Sequence, residues 1–436
     1  MPNNIQTPRS LTIGEEMHAL MGRLFPICRS ITGNGVRETL KIISELIPLT
    51  VHEVPSGTEC FDWIVPDEWN IDDAYILTPD GKKIANFKEN NLHVVGYSAP
   101  FDGEMNLDEL SDHIHTAPDI PEAIPYVTSY YQRRWGFCLS HKQFQSLKQG
   151  TYRAVIDASL EPGSLTYGDL LLPGDSNEEI LLSCNTCHPS LANNELSGPV
   201  LLTYLARWLL SLPERRYSYR IVFMPETIGS LVYLSQHLDD LKNNVIAGYH
   251  LTCIGGPADF IFIKPRAKGT LSEKAMHHTL AHCSIGFSIE DYTRRASDER
   301  QFCAPGIDLP VGVLTKSKFA AYREYHSSLD DLEFVKPSYL EASFSVFQSC
   351  LEAIEMNWRF SVTQLGEPNL GRRGLYPTIG GQAYRMQSIN DQKAVLAFSD
   401  GEHDLIDIAD KHGRPVKDIA TAAETLVKAD LLSRLL

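Results

Sequence analysis

The sequence predicts an α/β protein whose mostly parallel sheet is flanked by helices. Three observations predict it. From residue 151 to about 364, short apolar runs alternate with longer helical stretches, such as "EEILLSC" before "LSGPVLLTYLARWLLSL" and "YRIVFM" before "GSLVYLSQHLDDL". Several of the short runs are apolar at every position, the pattern of strands covered on both faces. At 436 residues and 43% hydrophobic content, the chain can bury a large core and form two or three domains.

Taken in order, residues 11–48 read as helices, with Leu11, Met17, Leu20, Met21, Leu24 and Ile27 at helical spacing and "GVRETLKIISELI" after an "NG" turn. With the following turn they make an N-terminal helical part, 1–59. From 60 to 150 the texture becomes that of an inserted β-rich module. Runs such as "DAYIL" and "NLHVVGY" lie between "PDG", "APFDG" and "TAPDIPEAIP", and "YVTSYYQRRWGFCL" supplies aromatics for its core. The α/β domain, 151–364, begins with "TYRAVIDASL" and continues through "VIAGYHL", "DFIFIK" and "PVGVLT", with "SEKAMHHTLAHC" as a further helix. A Gly/Pro-rich linker, "GEPNLGRRGLYPTIGG", opens the last region, 365–436. Its short helices, joined by "HGRP", predict a helix-turn-helix or winged-helix unit.

Charge narrows the function. With 39 basic against 55 acidic residues the net charge is -16, and no basic block stands apart, so nucleic acid and anionic membrane are not expected partners. No apolar stretch reaches the roughly 20 residues that span a bilayer. The opening "MPNNIQTPRSLTIGEEM" lacks the basic start and apolar run of a secretory signal. A cytoplasmic protein is expected, with its nine cysteines mostly reduced and buried. The acidic C-terminal unit reads as a packing or dimerisation module, so a homodimer is compatible with the sequence.

Ligands of a parallel α/β sheet bind at the carboxyl ends of the strands. There the sequence places His188, Asn194 and Glu195 after "EEILLSC", Glu226 in "PETIGS", Thr252 after "VIAGYHL", and His326, Asp330 and Asp331 in "REYHSSLDDL". Two histidines and a few carboxylates on one edge are the inventory of a catalytic zinc site. That site needs three protein ligands, an open position for water, and a carboxylate base off the metal. Singly, each residue is more often structural: a histidine hydrogen-bonded at a strand end, a glutamate opposing a helix dipole. The Cys-x-x-Cys of "SCNTCH" has no second copy to complete a thiolate site, and burial is the expected role of Cys184.

"CHPSLANNELSGP", "PETIGS", "SDERQFCAPGIDLPVG" and "EYHSSLDDL", in this order, resemble the signature stretches of the zinc-dependent, di-metal-type aminopeptidases and their glutaminyl cyclase relatives. The nearer likeness is to bacterial aminopeptidase-like proteins with an inserted β-module and a C-terminal winged helix, often encoded near surface-polysaccharide genes. "FDWIVPDEWNI" and "SYYQRRWGFCLSHKQ" extend the likeness over nearly the whole chain. The resemblance implies that His188 and His326 bind zinc and that Glu226 is the general base. Asn194 stands where the family has a metal-binding aspartate, with Glu195 beside it, so the resemblance implies that one of these two supplies the third, oxygen, ligand. Thr227 and Thr252 stand where two further carboxylates would serve a second metal, so one Zn2+ is implied. It also brings Asp298, Glu299 and Arg300 near the active-site edge as substrate contacts, and sets Arg323 and Tyr325 beside His326, where they could stabilise an oxyanion.

The implied function is metal-dependent hydrolysis of an amide bond in a small aminoacyl or peptide-like substrate. Because Asn194 replaces a charged ligand, the alternative is a catalytically impaired binding or regulatory protein on the same scaffold. A cyclising acyl transfer would use the same metal geometry.

Overall fold

The computed structural model describes residues 11–376 and 383–435. The start of the opening segment read for a signal, residues 1–10, and part of the predicted linker lie outside them. The chain divides into two compact units, 1–268 with 287–344, and 269–286 with 345–436.

The first unit is organised by an eight-stranded sheet. Its strands are β1 (Thr50–Pro55), β2 (Ser164–Leu172), β3 (Glu179–Asn185), β4 (Ser218–Met224), β5 (Val245–Leu251), β6 (Phe260–Ile263), β7 (Phe287–Glu290) and β8 (Val311–Thr315), in the spatial order β1-β2-β4-β3-β5-β8-β6-β7. The centre, β4-β3-β5-β8, is parallel, with Leu182 of β3 opposite Ile221 and Tyr249. Every residue of β3, β4 and β8 is buried, which explains their mostly apolar runs; Glu179 of β3 and Arg220 of β4 are buried as an ion pair. The flanking β1 and β2 run antiparallel to their neighbours, and β6 is antiparallel to β8 but parallel to β7, directions that local pattern does not encode. Successive residues of β3 face opposite sides. Leu181 joins a cluster with Ile228, Leu231 and Leu234, while Cys184 meets the helix Ser197–Ser211. That helix starts so close to the end of β5 that a Cβ on Gly198 would lie 2.3 Å from the Leu251 carbonyl oxygen. The "SG" of the motif is thus a packing requirement at the site's edge.

The inserted module is a four-stranded antiparallel sheet in the order Lys83–Ile84, Glu68–Leu77, Thr151–Glu161, Phe101–Asn106. "TYRAVIDASL" therefore belongs to the insert, not to the α/β alternation. Its buried Tyr152, Ala154 and Ile156 alternate with exposed or half-buried neighbours, as one-sided packing requires. "NLHVVGY" begins with one 3-10 turn, Asn91–His93, instead of a strand.

The second unit pairs Asp400–Asp404, Arg359–Val362 and Leu432–Leu435 in an antiparallel sheet. The helices Ala383–Phe398, Leu405–His412 and Val416–Lys428 complete a winged helix-turn-helix order. Asp404 caps Leu405–His412, and Gly413 closes it in the left-handed conformation at φ 68°. Residues 269–286 and 345–364, placed with the α/β domain by sequence, group with this unit. Lys274 bridges Asp404 and Asp407 at 2.8 Å each, and His278 accepts the Val416 N–H at 3.0 Å. Among the described residues, no helix is long and apolar enough to cross a membrane.

One ion-pair cluster ties the N-terminal helices to both sheets of the first unit. Arg37, on the helix Asn34–Ser44, donates to Glu53 of β1 at 2.9 Å and to Glu68 of the module at 2.6 and 2.7 Å. The Arg37 hydrogen bonds hold the Glu68 carboxyl down to about 2, from an ordinary value of 4.5. A depressed carboxylate stabilises the fold above its unfolded pKa, and that contribution is lost as pH falls from about 4.5 to about 2. Glu68→Gln is expected to cost about 1 kcal/mol at neutral pH, discounted for partial exposure. The two proteins' urea midpoints should converge as the pH approaches 2.

Candidate metal centre

The site forms where the carboxyl end of β3 meets a buried turn. Residues Ala192–Leu196 wind as one π-type turn with every residue buried, leading into the helix Ser197–Ser211. This turn folds Glu195 back onto the strand end. One carboxylate oxygen, Oε1, accepts the backbone N–H of Cys187 and, at 3.0 Å, that of His188. The other, Oε2, lies 2.8 Å from His188 Nδ1, within ion-pair distance but off hydrogen-bond alignment. His188 Nε2 then faces Glu226 at 3.6 Å. Arg29, buried beneath, donates to the His188 carbonyl at 2.9 Å.

His326 arrives from the loop after β8, held at a positive φ of 52°. Its ring centroid is 5.7 Å from that of His188. Two imidazoles sharing one cation at metal–nitrogen distances near 2.0–2.1 Å would place their centroids about 5–6 Å apart. Tyr126, from the inserted module, packs against both rings at 5.0 and 5.1 Å, and its N–H donates to the His326 carbonyl at 2.8 Å. Tyr325 stacks on His326 at 3.9 Å.

Several buried polar atoms have no hydrogen-bond partner among the described residues, and His326 Nε2 and Asn194 Oδ1 are the two candidate ligands among them; Glu195 Oε2 also lacks a hydrogen bond but has the His188 ring as its ion-pair partner. Such orphans are costly in an interior unless something binds them. They fit a cation. Cys187 Sγ, His188 and Glu195 also offer ligand atoms within 4.8 Å of one another, but on the Nδ1 side of His188. There the sulfur is 3.3 Å from Nδ1 and accepts the Glu226 N–H at the same distance. Burial pushes the Cys187 thiol up to about 12, so it is an uncharged thiol at neutral pH.

Burial would lower the His188 pKa, yet the groups at Nδ1, Cys187 and Glu195, raise it well above the usual imidazole value. With Cys187 neutral, Glu195 is the anion that matters. His326 is pushed down to about 3 by burial and by the charge on His188, which leaves its ring neutral. Burial raises the Glu226 carboxyl, partly offset by His188 and Arg300.

The remaining expected residues divide. Asp298 has no exposed surface; its Oδ1 accepts the Thr227 N–H at 2.8 Å, so it holds the loop and does not line the cavity. Glu299 is likewise buried, accepting the N–H groups of Ala296 and Ser297. Arg323 is at the surface, paired with Glu122, which removes it from the expected oxyanion position. Arg300 does line the cavity, together with Glu226, His188 and Cys187, in a volume of about 440 Å³. Where a second metal's carboxylates would stand, the Thr227 hydroxyl accepts from Arg300 and the Thr252 hydroxyl donates to the Asn194 carbonyl at 3.2 Å. Sequence reading missed Tyr126, taken only as core filling, and Arg29, which carried no signal. Cys187 was legible as the neighbour of His188 but was read only as half of a Cys-x-x-Cys.

Backbone strain gathers here. Ser190, Thr227, Cys253 and His326 all have positive φ, which a β-branched residue such as Thr227 rarely adopts. Asp330 stabilises the turn, accepting the N–H groups of Asn193 and Asn194 at 2.6 and 2.9 Å and the Tyr322 hydroxyl at 2.9 Å.

This combination of sheet order, strand-end histidines and glutamate defines an aminopeptidase-like scaffold. The chain belongs to the family described as Domain of unknown function (DUF4910), whose model matches residues 18–357, and a winged helix-turn-helix model matches 358–434. It is 44% identical over 420 residues, 96% of each chain, to a Clostridium acetobutylicum protein provisionally named for polysaccharide biosynthesis with an aminopeptidase-like domain. A crystal structure of a provisionally named peptidase from the same organism superposes with TM-score 0.91 at 43% identity, covering 97% of this chain and 96% of that one. A zinc aminopeptidase of Bacillus subtilis shares the fold, with TM-score 0.55 at 12% identity, over 79% of this chain and 96% of that one. The zinc aminopeptidase-like fold and the C-terminal winged helix expected from sequence are both borne out.

Replacing Asp330 by Ala leaves two buried N–H groups unpaired. At roughly 1–3 kcal/mol for each unsatisfied group, a loss of about 3 kcal/mol is expected in urea unfolding.

Proposed function

We propose that the protein hydrolyses an amide bond in a small aminoacyl or peptide-like substrate at a single zinc ion held by His188 and His326. The observation that carries this is the pairing of two imidazoles 5.7 Å apart, one with an orphaned Nε2, beside the half-buried Glu226. Asn194 Oδ1 is the candidate third donor. Glu195, clamped by two amides and turned to Nδ1, serves as the carboxylate that orients the ligand histidine. This differs from the direct-ligand role that the motif implied for it.

A bound zinc ion would polarise the carbonyl and lower the pKa of its water. The chain's own residues supply the rest. Glu226, its basicity raised by burial, takes the proton from the attacking water and delivers it to the departing amine. Tyr126 fixes the facing of the two imidazoles. The Clostridium relative's name places that protein in polysaccharide biosynthesis, which supports a polysaccharide precursor as the substrate source for this chain.

Glu226→Gln is expected to retain about one zinc per chain and to lose roughly a hundredfold to ten-thousandfold in turnover. Undiminished hydrolysis by that variant would remove the base assignment. His188→Ala and His326→Ala should each lose zinc in metal analysis after gel filtration, while Cys187→Ala keeps it. Zinc retained by both histidine variants would favour the binding or regulatory alternative.

A further inference from the structure

The cavity beside the metal centre contains a cation without an ionic partner. Arg300 is half-buried on the cavity wall. Its guanidinium donates to the Thr227 hydroxyl and, at 3.3 Å, to the Ala296 carbonyl. A guanidinium has five N–H donors, and those not used in these bonds have no protein partner among the described residues. Glu226 and Asp298 feel its charge, yet neither comes within the 4.0 Å of an ion pair. Charge compensation for these acids explains a nearby cation. It does not explain why the fork is tethered by neutral groups and left open to the cavity.

Another part of the lining differs in kind. Trp63 and Tyr131 meet edge to face at 5.3 Å and stay 37% and 50% exposed while lining the same space. Tyr131 is held there at φ 63°. Large aromatic surface left open in a cavity is the usual provision for a flat or apolar ligand group. Apart from Glu226, no carboxylate lines the cavity, so it lacks the acidic group that would grip a free ammonium.

We propose that Arg300 is the anion-binding residue of this cavity and that the ligand is a small amide bearing a carboxylate next to a ring or apolar group that packs on Trp63 and Tyr131. The word amide rests on the hydrolase reading; the carboxylate and ring rest on the cavity alone. In the reaction, water adds across the C–N bond. A C–O bond forms, the C–N bond breaks and the water's proton passes to the amine, while the recognised carboxylate is unchanged. A volume of about 440 Å³ limits the ligand to small-molecule size.

The test compares N-benzoylglycine with its uncharged carboxamide, using calorimetry on the full-length zinc-loaded protein. Wild type is expected to bind the carboxylate at least tenfold more tightly. In Arg300→Met the two should agree within about twofold, and Arg300→Lys, which keeps the charge but not the fork, should fall between them. Trp63→Ala should weaken both probes by a similar factor. Equal affinities in wild type, binding of neither probe at millimolar concentration, or a preference that survives Arg300→Met overturns the proposal. So does a preference abolished by chelator with Arg300 intact, since the carboxylate would then be bound to the metal. If Arg300→Met does not fold, an undiminished preference in Arg300→Lys overturns the bidentate role. Turnover in Glu226→Gln separates the two readings: a hydrolase failure leaves the carboxylate preference intact, and loss of the preference alone leaves the hydrolase reading intact.

Discussion

A carboxylate buried beneath an imidazole sets up everything else in the site. Glu195 has no exposure worth the name, and an isolated charge there would be prohibitively costly. Two backbone amides and the His188 ring meet that cost. The amides can reach Oε1 only because the segment Ala192–Leu196 is wound more widely than an α-helix. The constraint runs outward from there. With Nδ1 committed to Glu195, His188 has one nitrogen left, and it points toward Glu226 and the neighbouring imidazole.

The surrounding structure holds this arrangement from several sides. Asp330 anchors the turn from the loop that also carries His326, so one segment positions two parts of the site. Asp298 fixes the strained Thr227 and with it the backbone beside Glu226. The inserted module contributes more than a wall, because Tyr126 touches both histidines and its N–H is bonded to the His326 carbonyl. On the proposed reading, the ligating atoms would be fixed before any ion enters, which would limit the reorganisation that binding requires.

How far the sequence discloses this depends on how local each signal is. Strands β3, β4 and β8 were legible because burial on both faces leaves them mostly apolar, with their few charged positions, such as Glu179 and Arg220, paired with each other. The helix-turn-helix unit was legible from its short helices joined by the "HGRP" turn. "TYRAVIDASL" was assigned to the wrong sheet: pairing is a long-range property, although its alternating burial was a clue to one-sided packing. His188, Glu226 and His326 were legible because each follows a strand, where α/β proteins bind ligands. The role of Glu195 was not, since a π-type turn shifts the direction of a side chain without changing its neighbours in sequence. Arg29 lies far from any motif, and Tyr126 opens the stretch "YVTSYYQRRWGFCL", which read only as core filling. Arg323 was misjudged for the opposite reason, being adjacent to His326 in sequence while its side chain turns to Glu122 at the surface.

The central claim is that one divalent cation lies between the Nε2 atoms of two histidines that are 138 residues apart (326 minus 188). An anomalous difference map from crystals of protein purified without chelator, collected on both sides of the zinc absorption edge, tests it most directly. The account requires one peak about 2.0–2.1 Å from both nitrogens. A peak seated instead among Cys187, His188 Nδ1 and Glu195, or none at all in zinc-soaked crystals, would contradict it.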